Sequence, residues 1–232
     1  MFQINACAAM NTQAKASLQP TPAVFVVTAD ETVLDCLDGC ASGTDWQSRA
    51  FADTRTFLSH SHLPGPACLV LDLDLDLPDA EWLDVQELMR DRRDTPVIFI
   101  ASCPSVRTTV RAMKAGAVEF LAKPFDECAL LDAIRQAMHQ SREVLAQEAQ
   151  MRVLHDRFSL LSPRERQVMS LVVTGKLNKQ VAGELGISVI TVQVHRGRVM
   201  RKMRAASFAN LVNMATEILA RTSERAAIDQ PG

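Results

Sequence analysis

Two stretches of this chain carry side chains whose types and spacing can do chemistry. Segment 178–204 reads NKQVAGELGISVITVQVHRGRVMRKMR, and its second part is heavily basic through Arg196, Arg198, Arg201, Lys202 and Arg204. Cations repeated along a helix attract a polyanion, and helix, tight turn, helix is the arrangement that lays one helix in a DNA major groove. The other stretch, Leu71-Asp72-Leu73-Asp74-Leu75-Asp76-Leu77-Pro78, alternates leucine with aspartate. An extended backbone would turn all three carboxylates to one side. Carboxylates so crowded can gather a cation, or one can keep its proton through mutual repulsion. No nucleophile–base pair, glycine-rich phosphate loop or metal-type ligand spacing emerges, so the residues point to binding and not to an enzyme. The six cysteines are scattered. Cys36 and Cys40 fall one helical turn apart and read as buried thiols of a protein in a reducing cytoplasm.

Local signals give the elements that must position the basic stretch. Val181, Ala182 and Leu185 recur at helical spacing, and Ile190, Val194, Val199 and Met203 supply an apolar stripe in the second helix. Gly186 marks a stop, and Ser188 caps the restart. Leu161-Ser162-Pro163-Arg164-Glu165 is a capping pattern, with Ser162 at the N-cap, Pro163 at N1 and Glu165 at N3. That helix is predicted to end near Gly175. Asn178 is expected to cap the first helix of the pair, and Ser207 a fourth helix through 220. Uninterrupted helical periodicity over 142–158 predicts a helical linker.

The acidic stretch lies where strands and helices alternate. Apolar runs at 23–27, 68–73, 97–100 and 117–121, with a weaker one at 49–52, predict five strands. Helical patterns at 32–40, 84–89, 105–115 and 127–138 lie between or after them. This alternation implies a doubly wound α/β fold, a parallel five-stranded sheet covered on both faces, with ligands at the carboxyl ends of the strands. Charge divides the chain along the same line. Residues 1–150 hold 12 Lys+Arg against 21 Asp+Glu, net −9, and residues 151–232 hold 13 against 6, net +7, within a total of −2. A polyanion repels the first part and attracts the second. In 232 residues this predicts two domains: a flexible tail 1–21, an α/β domain 22–140, a helical linker 141–157, a small all-α domain 158–222 and a tail 223–232. No apolar run approaches the ~20 residues a membrane helix needs, and 1–20 lacks a signal-peptide pattern.

Longer strings carry a resemblance. In the first domain they are Pro96-Val97-Ile98-Phe99-Ile100, Ala112-Met113-Lys114-Ala115-Gly116-Ala117 and Phe120-Leu121-Ala122-Lys123-Pro124-Phe125. In the second they are Leu161-Ser162-Pro163-Arg164-Glu165-Arg166, Asn178-Lys179-Gln180, Glu184-Leu185-Gly186-Ile187-Ser188 and Thr191-Val192-Gln193-Val194-His195. Residues 22–138 resemble a receiver domain and 158–220 the tetrahelical helix-turn-helix output domain of the NarL/LuxR class. Together they resemble a FixJ-type response regulator. The resemblance implies transfer of a phosphoryl group from a kinase histidine to an aspartate, with Mg²⁺ neutralising the developing charge. In the family an acidic pair after the first strand and the acceptor hold the ion. A Thr/Ser after the fourth strand and a Lys after the fifth sense the phosphoryl group.

Carried over by position, the acidic pair falls on Thr28 and Ala29, neither a useful Mg²⁺ ligand; Asp30 and Glu31 follow. The Thr/Ser position falls on Ala101, with Ser102 adjacent. Lys123 is retained, and Phe120 matches the aromatic that switches orientation in the family. Counting back from Pro78 and forward through Leu83 makes Asp74 the acceptor, and counting from Cys68-Leu69-Val70-Leu71 makes it Asp72; Asp74 is favoured. Trp82 replaces a family glycine. The expected receiver is therefore atypical, weakly or not phosphorylated, with Mg²⁺ doubtful and no metal site assigned.

The DNA-contacting set implied by the resemblance is Asn178, Lys179, Ser188, Thr191, Gln193, Val194, Arg196, Arg198, Arg201 and Lys202. Gln193 and Val194 face the bases, with Gly197 one turn on; Gln pairs with adenine and Val touches a thymine methyl. Lys179, Thr191, Arg196, Arg198, Arg201 and Lys202 reach phosphates, which fix affinity and register. His195 serves a phosphate contact or packing, and Leu211, Val212, Met214 and Ala215 a dimer surface or the core. The expected protein is a cytoplasmic transcription regulator that binds double-stranded DNA as a homodimer, with a sensor histidine kinase and RNA polymerase as further partners and no membrane. The alternatives are a signalling adaptor acting through its receiver, or an ordinary response regulator phosphorylated at Asp74 or Asp72.

Overall fold

The computed structural model describes residues 21–41, 44–59, 65–75 and 79–228. Residues 1–20 of the expected tail, Asp76 and Pro78 lie outside the described residues. The chain divides into two compact units, Met1–Ala146 and Gln147–Gly232.

In the first unit five parallel strands, β1 (Ala23–Val27), β2 (Gln47–Phe51), β3 (Ala67–Asp72), β4 (Val97–Ala101) and β5 (Glu119–Ala122), lie in the order β2-β1-β3-β4-β5. The apolar runs form strands because β1, β3 and β4 are buried along their whole length, as a sheet covered on both faces requires. Successive residues point to opposite faces. Phe25, Val27, Leu69, Leu71 and Phe99 meet α2 (Thr54–Leu58), α3 (Asp79–Asp91) and α4 (Val106–Lys114) through Phe57, Val85 and Ala112. Val24, Val26, Val70, Ile98 and Ile100 meet α1 (Glu31–Ala41) and α5 (Glu127–Ser159) through Leu37, Leu130 and Ile134. Each such side chain contributes about 1.5–3 kcal/mol by leaving water. The short helix α2, started where Asp53 accepts from Thr56 N–H, was not expected from the sequence. Helix α3 begins at Asp79, ahead of the predicted 84.

One correction bears on the site. The alternating Leu–Asp run is not one strand: β3 ends at Asp72, and Leu73–Leu75 tightens into a 3₁₀ turn. The cause is local, since Asp72 Oδ1 accepts from the Asp74 N–H and closes an Asx-type turn. Strand parity therefore stops at Asp72. The linker pattern extends α5 as one 33-residue helix to Ser159, and the division between the two units falls inside it.

The second unit builds α6 (Pro163–Val173), α7 (Asn178–Leu185), α8 (Val189–Met203) and α9 (Phe208–Ile228). Val168, Val181 and Val192 close one apolar cluster, and Leu154, Met203 and Leu211 another. Helix α6 starts with the expected capping box: Ser162 Oγ accepts from Glu165 N–H and the Glu165 carboxylate accepts from Ser162 N–H. Gly186 ends α7 in the left-handed region at φ 65° and Ser188 caps α8 by accepting from Thr191 N–H. Asn178 is not the cap of α7. Leu177 is, and the Gln180 side chain accepts its N–H instead. Ser207 caps α9 through Asn210 N–H, and the helix continues past the predicted 220 to Ile228, into the expected tail.

Candidate functional sites

At the carboxyl end of the sheet one ammonium gathers three carboxylates. Lys123, just past β5, lies 2.6 Å from Asp72, 3.0 Å from Asp30 and 3.2 Å from Asp74. β3 delivers Asp72, the 3₁₀ turn Asp74, and the loop after β1 Asp30. The two central aspartates differ sharply. Asp72 has a side chain 2% exposed, and its Oδ2 accepts from both Lys123 and the Thr28 hydroxyl at 2.6 Å. Asp74 is 36% exposed, and its carboxylate takes the Ser102 N–H at 2.9 and 3.0 Å and the Ser102 hydroxyl at 2.6 Å. Burial works against charging Lys123, yet the hydrogen bonds it donates to Asp72, Asp30 and Asp74 hold its ammonium well above the ordinary lysine value. The Thr32 hydroxyl first and Lys123 second bring Asp30 down from 3.8 to about 2. Burial pushes Asp74 upward, but the Ser102 donors and Lys123 outweigh it and lower the carboxyl.

The donor set present does not fit Mg²⁺. Thr28 gives its hydroxyl to Asp72, Ala29 offers no donor atom, and Asp30 is engaged by Thr32 and Lys123. The positive charge among the carboxylates is supplied by the lysine, where a hard divalent ion would need several of those oxygens for itself. Ala101 is buried at the end of β4 and has no hydroxyl to offer; Ser102, the next residue, makes that contact. Phe120 stacks on Phe99 at 6.4 Å between centroids, Phe99 meets Trp82 at 5.4 Å, and Arg111 lies over the Trp82 ring at 4.8 Å. The aromatic position and α4 are thus joined through a tryptophan that the sequence marked only as a departure.

In the second unit α8 has two unlike faces. Val192, Val199 and Met203 are fully buried. Ile190, Gln193, Val194, Gly197, Arg198 and Arg201 recur at three- and four-residue spacing and are all exposed. Ile190 and Val194, expected in the apolar stripe, are 72% and 46% exposed. Two of the expected phosphate contacts have internal partners. Lys202 reaches the Glu165 carboxylate at 2.7 Å and the Leu160 carbonyl at 3.0 Å. Arg196 donates to Asn178 Oδ1 at 3.1 Å and lies over the Phe208 ring at 4.5 Å, tying α7 and α9 to α8. Thr191 and Ser188 share a hydroxyl contact at the start of α8. Among the described residues the buried His195 Nδ1 has no hydrogen-bond partner, which favours packing for its ring. Leu211 and Ala215 are core.

Comparison with known proteins identifies a family for each of the two units. Residues 24–135 match the response regulator receiver domain, and 159–215 match the luxR family of bacterial regulatory proteins. Nodulation protein W of Bradyrhizobium diazoefficiens is 45% identical over 195 residues, covering 83% of this chain and 84% of its own. The chain belongs to the luxR-type response regulators. Response regulator protein TodT of Pseudomonas putida is 35% identical over 196 residues, 84% of this chain and 86% of its own. The transcriptional regulatory protein FixJ of Rhizobium meliloti is 43% identical over 150 residues, 63% of this chain and 72% of its own. The solved structure of the response regulator StyR superposes with a TM-score of 0.72 at 40% identity, covering 85% of this chain and 99% of that one. This response regulator therefore joins a receiver to a DNA-binding domain of the two-component type, a transcriptional regulator's architecture. Among its described residues no helix is long and apolar enough to cross a membrane.

Proposed function

We propose that this response regulator reads DNA with α8 in the major groove and that Lys123, not a divalent ion, organises its receiver. The exposed face of α8 carries the reading. Gln193 and Val194 stand near the helix N-terminus, where base edges are met, and Ile190 adds a second apolar tip for a thymine methyl. Lys179, Arg198 and Arg201 are exposed and supply phosphate contacts. Lys202 and Arg196 leave that set because their charges are engaged within the domain. Exposed Val106, Val110 and Met113 recur along α4 and support a homodimer through that helix. A cytoplasmic setting, a sensor histidine kinase as input and RNA polymerase as output complete the reading.

The receiver is atypical in that its ammonium offsets only part of the charge of the three carboxylates and leaves the site negative, so a phosphoryl group enters slowly and without help from Mg²⁺. Binding of the full chain to labelled duplexes tests the DNA reading. Arg198→Ala should weaken all sequences alike, whereas Gln193→Ala should erase about 1–3 kcal/mol of preference at one base pair. Uniform loss from Gln193→Ala would place α8 outside the groove. Acetyl phosphate with Mg²⁺ or with a chelator tests the receiver: similar, low modification supports the reading, and a strong Mg²⁺ requirement refutes it.

A further inference from the structure

Helix α4 presents Val106, Val110 and Met113 to solvent, yet it has little apolar surface of its own holding it to the sheet. Of its nine residues only Ala112 is buried. The bonds at its two ends close the helix on itself. Ser105 Oγ accepts from Thr108 N–H at the start, and the Ala112 carbonyl takes the N–H groups of Ala115 and Ala117 at the finish. A single buried methyl is a weak anchor, and elements with few buried contacts open first. A further hold comes from Arg111, whose guanidinium lies 4.8 Å over the Trp82 ring. Trp82 belongs to α3, is only 6% exposed, and meets the fully buried Phe99 of β4 at 5.4 Å. One ring thus joins α3, the sheet and α4. Its buried Nε1 has no hydrogen-bond partner among the described residues. An unpaired buried donor is costly, so the indole's contribution is its face. The glycine that the family carries at this position has no face to offer.

We propose that Trp82 and Arg111 form a latch: the indole, seated on Phe99, holds α4 to the sheet through the Arg111 guanidinium and so fixes how Val106, Val110 and Met113 are presented. The attraction is that of a cation for the negative face of a ring, and it strengthens where the ring is shielded from water. Opening the latch frees α4 while α3 and β4 stay packed on each other. The latch does not depend on what the apolar stripe meets; its consequence for pairing rests on the dimer reading above.

The test is deuterium exchange of the full chain, resolved by peptide mass, in a Val110→Glu background so that pairing through α4 does not shield it. Arg111→Gln should speed exchange over 106–115 by about threefold or more, with β1, β3 and α5 unchanged. Arg111→Lys keeps a cation and should slow it again. Trp82→Ala should open α4 as Arg111→Gln does, whereas Trp82→Phe keeps a ring face and should leave α4 protected. Trp46→Phe leaves Trp82 as the one tryptophan, and its emission should then move to the red in Arg111→Gln as the ring meets water. Unchanged exchange over 106–115 in Arg111→Gln, or a rise shared by every strand of the receiver, overturns the proposal. If Trp82→Ala fails to fold, the two arginine variants decide. Sedimentation without Val110→Glu separates the readings: faster α4 exchange in Arg111→Gln with its dimer intact supports the latch and refutes α4 as the pairing surface. Unchanged exchange, with a dimer that Val110→Glu dissolves, refutes the latch and leaves the dimer reading standing.

Discussion

Lys123 and Lys202 show how one residue type serves opposite ends at the scale of the single side chain. Lys202 stands amid a basic run and reads as a phosphate contact, but its ammonium closes on Glu165, whose side chain is only 3% exposed. Lys202 first, with the Ser162 donors, holds the Glu165 carboxyl below its ordinary 4.5. Lys202→Met should therefore lower stability by about 2 kcal/mol at neutral pH, less than a fully buried pair because the lysine end is open to solvent. Glu165 has a depressed folded-state value, so its contribution is present above about 4.5 and is lost as pH falls through the folded value. Urea unfolding of both proteins should show the gap closing below pH 4.5. An equal gap at all pH values would mean that lost packing, not charge, sets the cost. The side chain lies four positions from Arg198, yet only their surroundings tell a core anchor from a groove contact.

At the scale of elements, caps decide where helices stop, and the backbone at two ends of the helix pair makes opposite predictions. Gly186 turns left-handed after α7 at φ 65°, and Arg204 does the same after α8 at φ 54°. A side chain in that region costs about 1–2 kcal/mol. Gly186→Ala should lose about 1 kcal/mol and Arg204→Gly should gain about 0.5 kcal/mol, the relieved strain exceeding the extra freedom of the unfolded glycine. Thermal melting of the two variants should move in opposite directions; shifts of the same sign would show that the turns are set by packing instead. Ser162→Ala removes one arm of the capping box and should cost about 1 kcal/mol. At β3 the same logic runs the other way: a side chain capping its own backbone ended the strand and separated Asp74 from the parity of the Leu–Asp run.

At the scale of the molecule, a chain of net charge −2 behaves as an acidic part and a basic part. If three cations per protomer neutralise phosphates in a dimer, log K should fall with log salt at a slope of about −5. Arg198→Ala should make the slope shallower by about 1 per protomer. A slope near zero would remove the electrostatic basis of the DNA reading. With Lys123 already drawing the three receiver carboxylates together, association is expected without any phosphodonor. Sedimentation at micromolar concentration should show a dimer, and Val110→Glu on the exposed stripe of α4 should give a monomer with its fold intact. A monomer that pairs only after acetyl phosphate would assign dimerisation to phosphorylation.

The elements were legible in the sequence because their causes are local. Buried parallel strands need continuous apolar runs, helices need a 3.6-residue period, and Ser162, Gly186, Ser188 and Ser207 act within a few residues of themselves. The two-domain order and the basic recognition helix followed from the same signals. Which groups meet was not local. Asp30, Asp72, Asp74, Ser102 and Lys123 come from four separate loops and strand ends, and only the sheet order β2-β1-β3-β4-β5 brings those ends together. By position the resemblance implied a receiver without its pair at Thr28 and Ala29 and without its hydroxyl at Ala101. Tertiary structure decided that Asp30 and Ser102 stand close by, that Thr28 anchors Asp72, and that Lys202 faces inward, because a hydrogen bond depends on distance in space and spacing along the chain does not fix it.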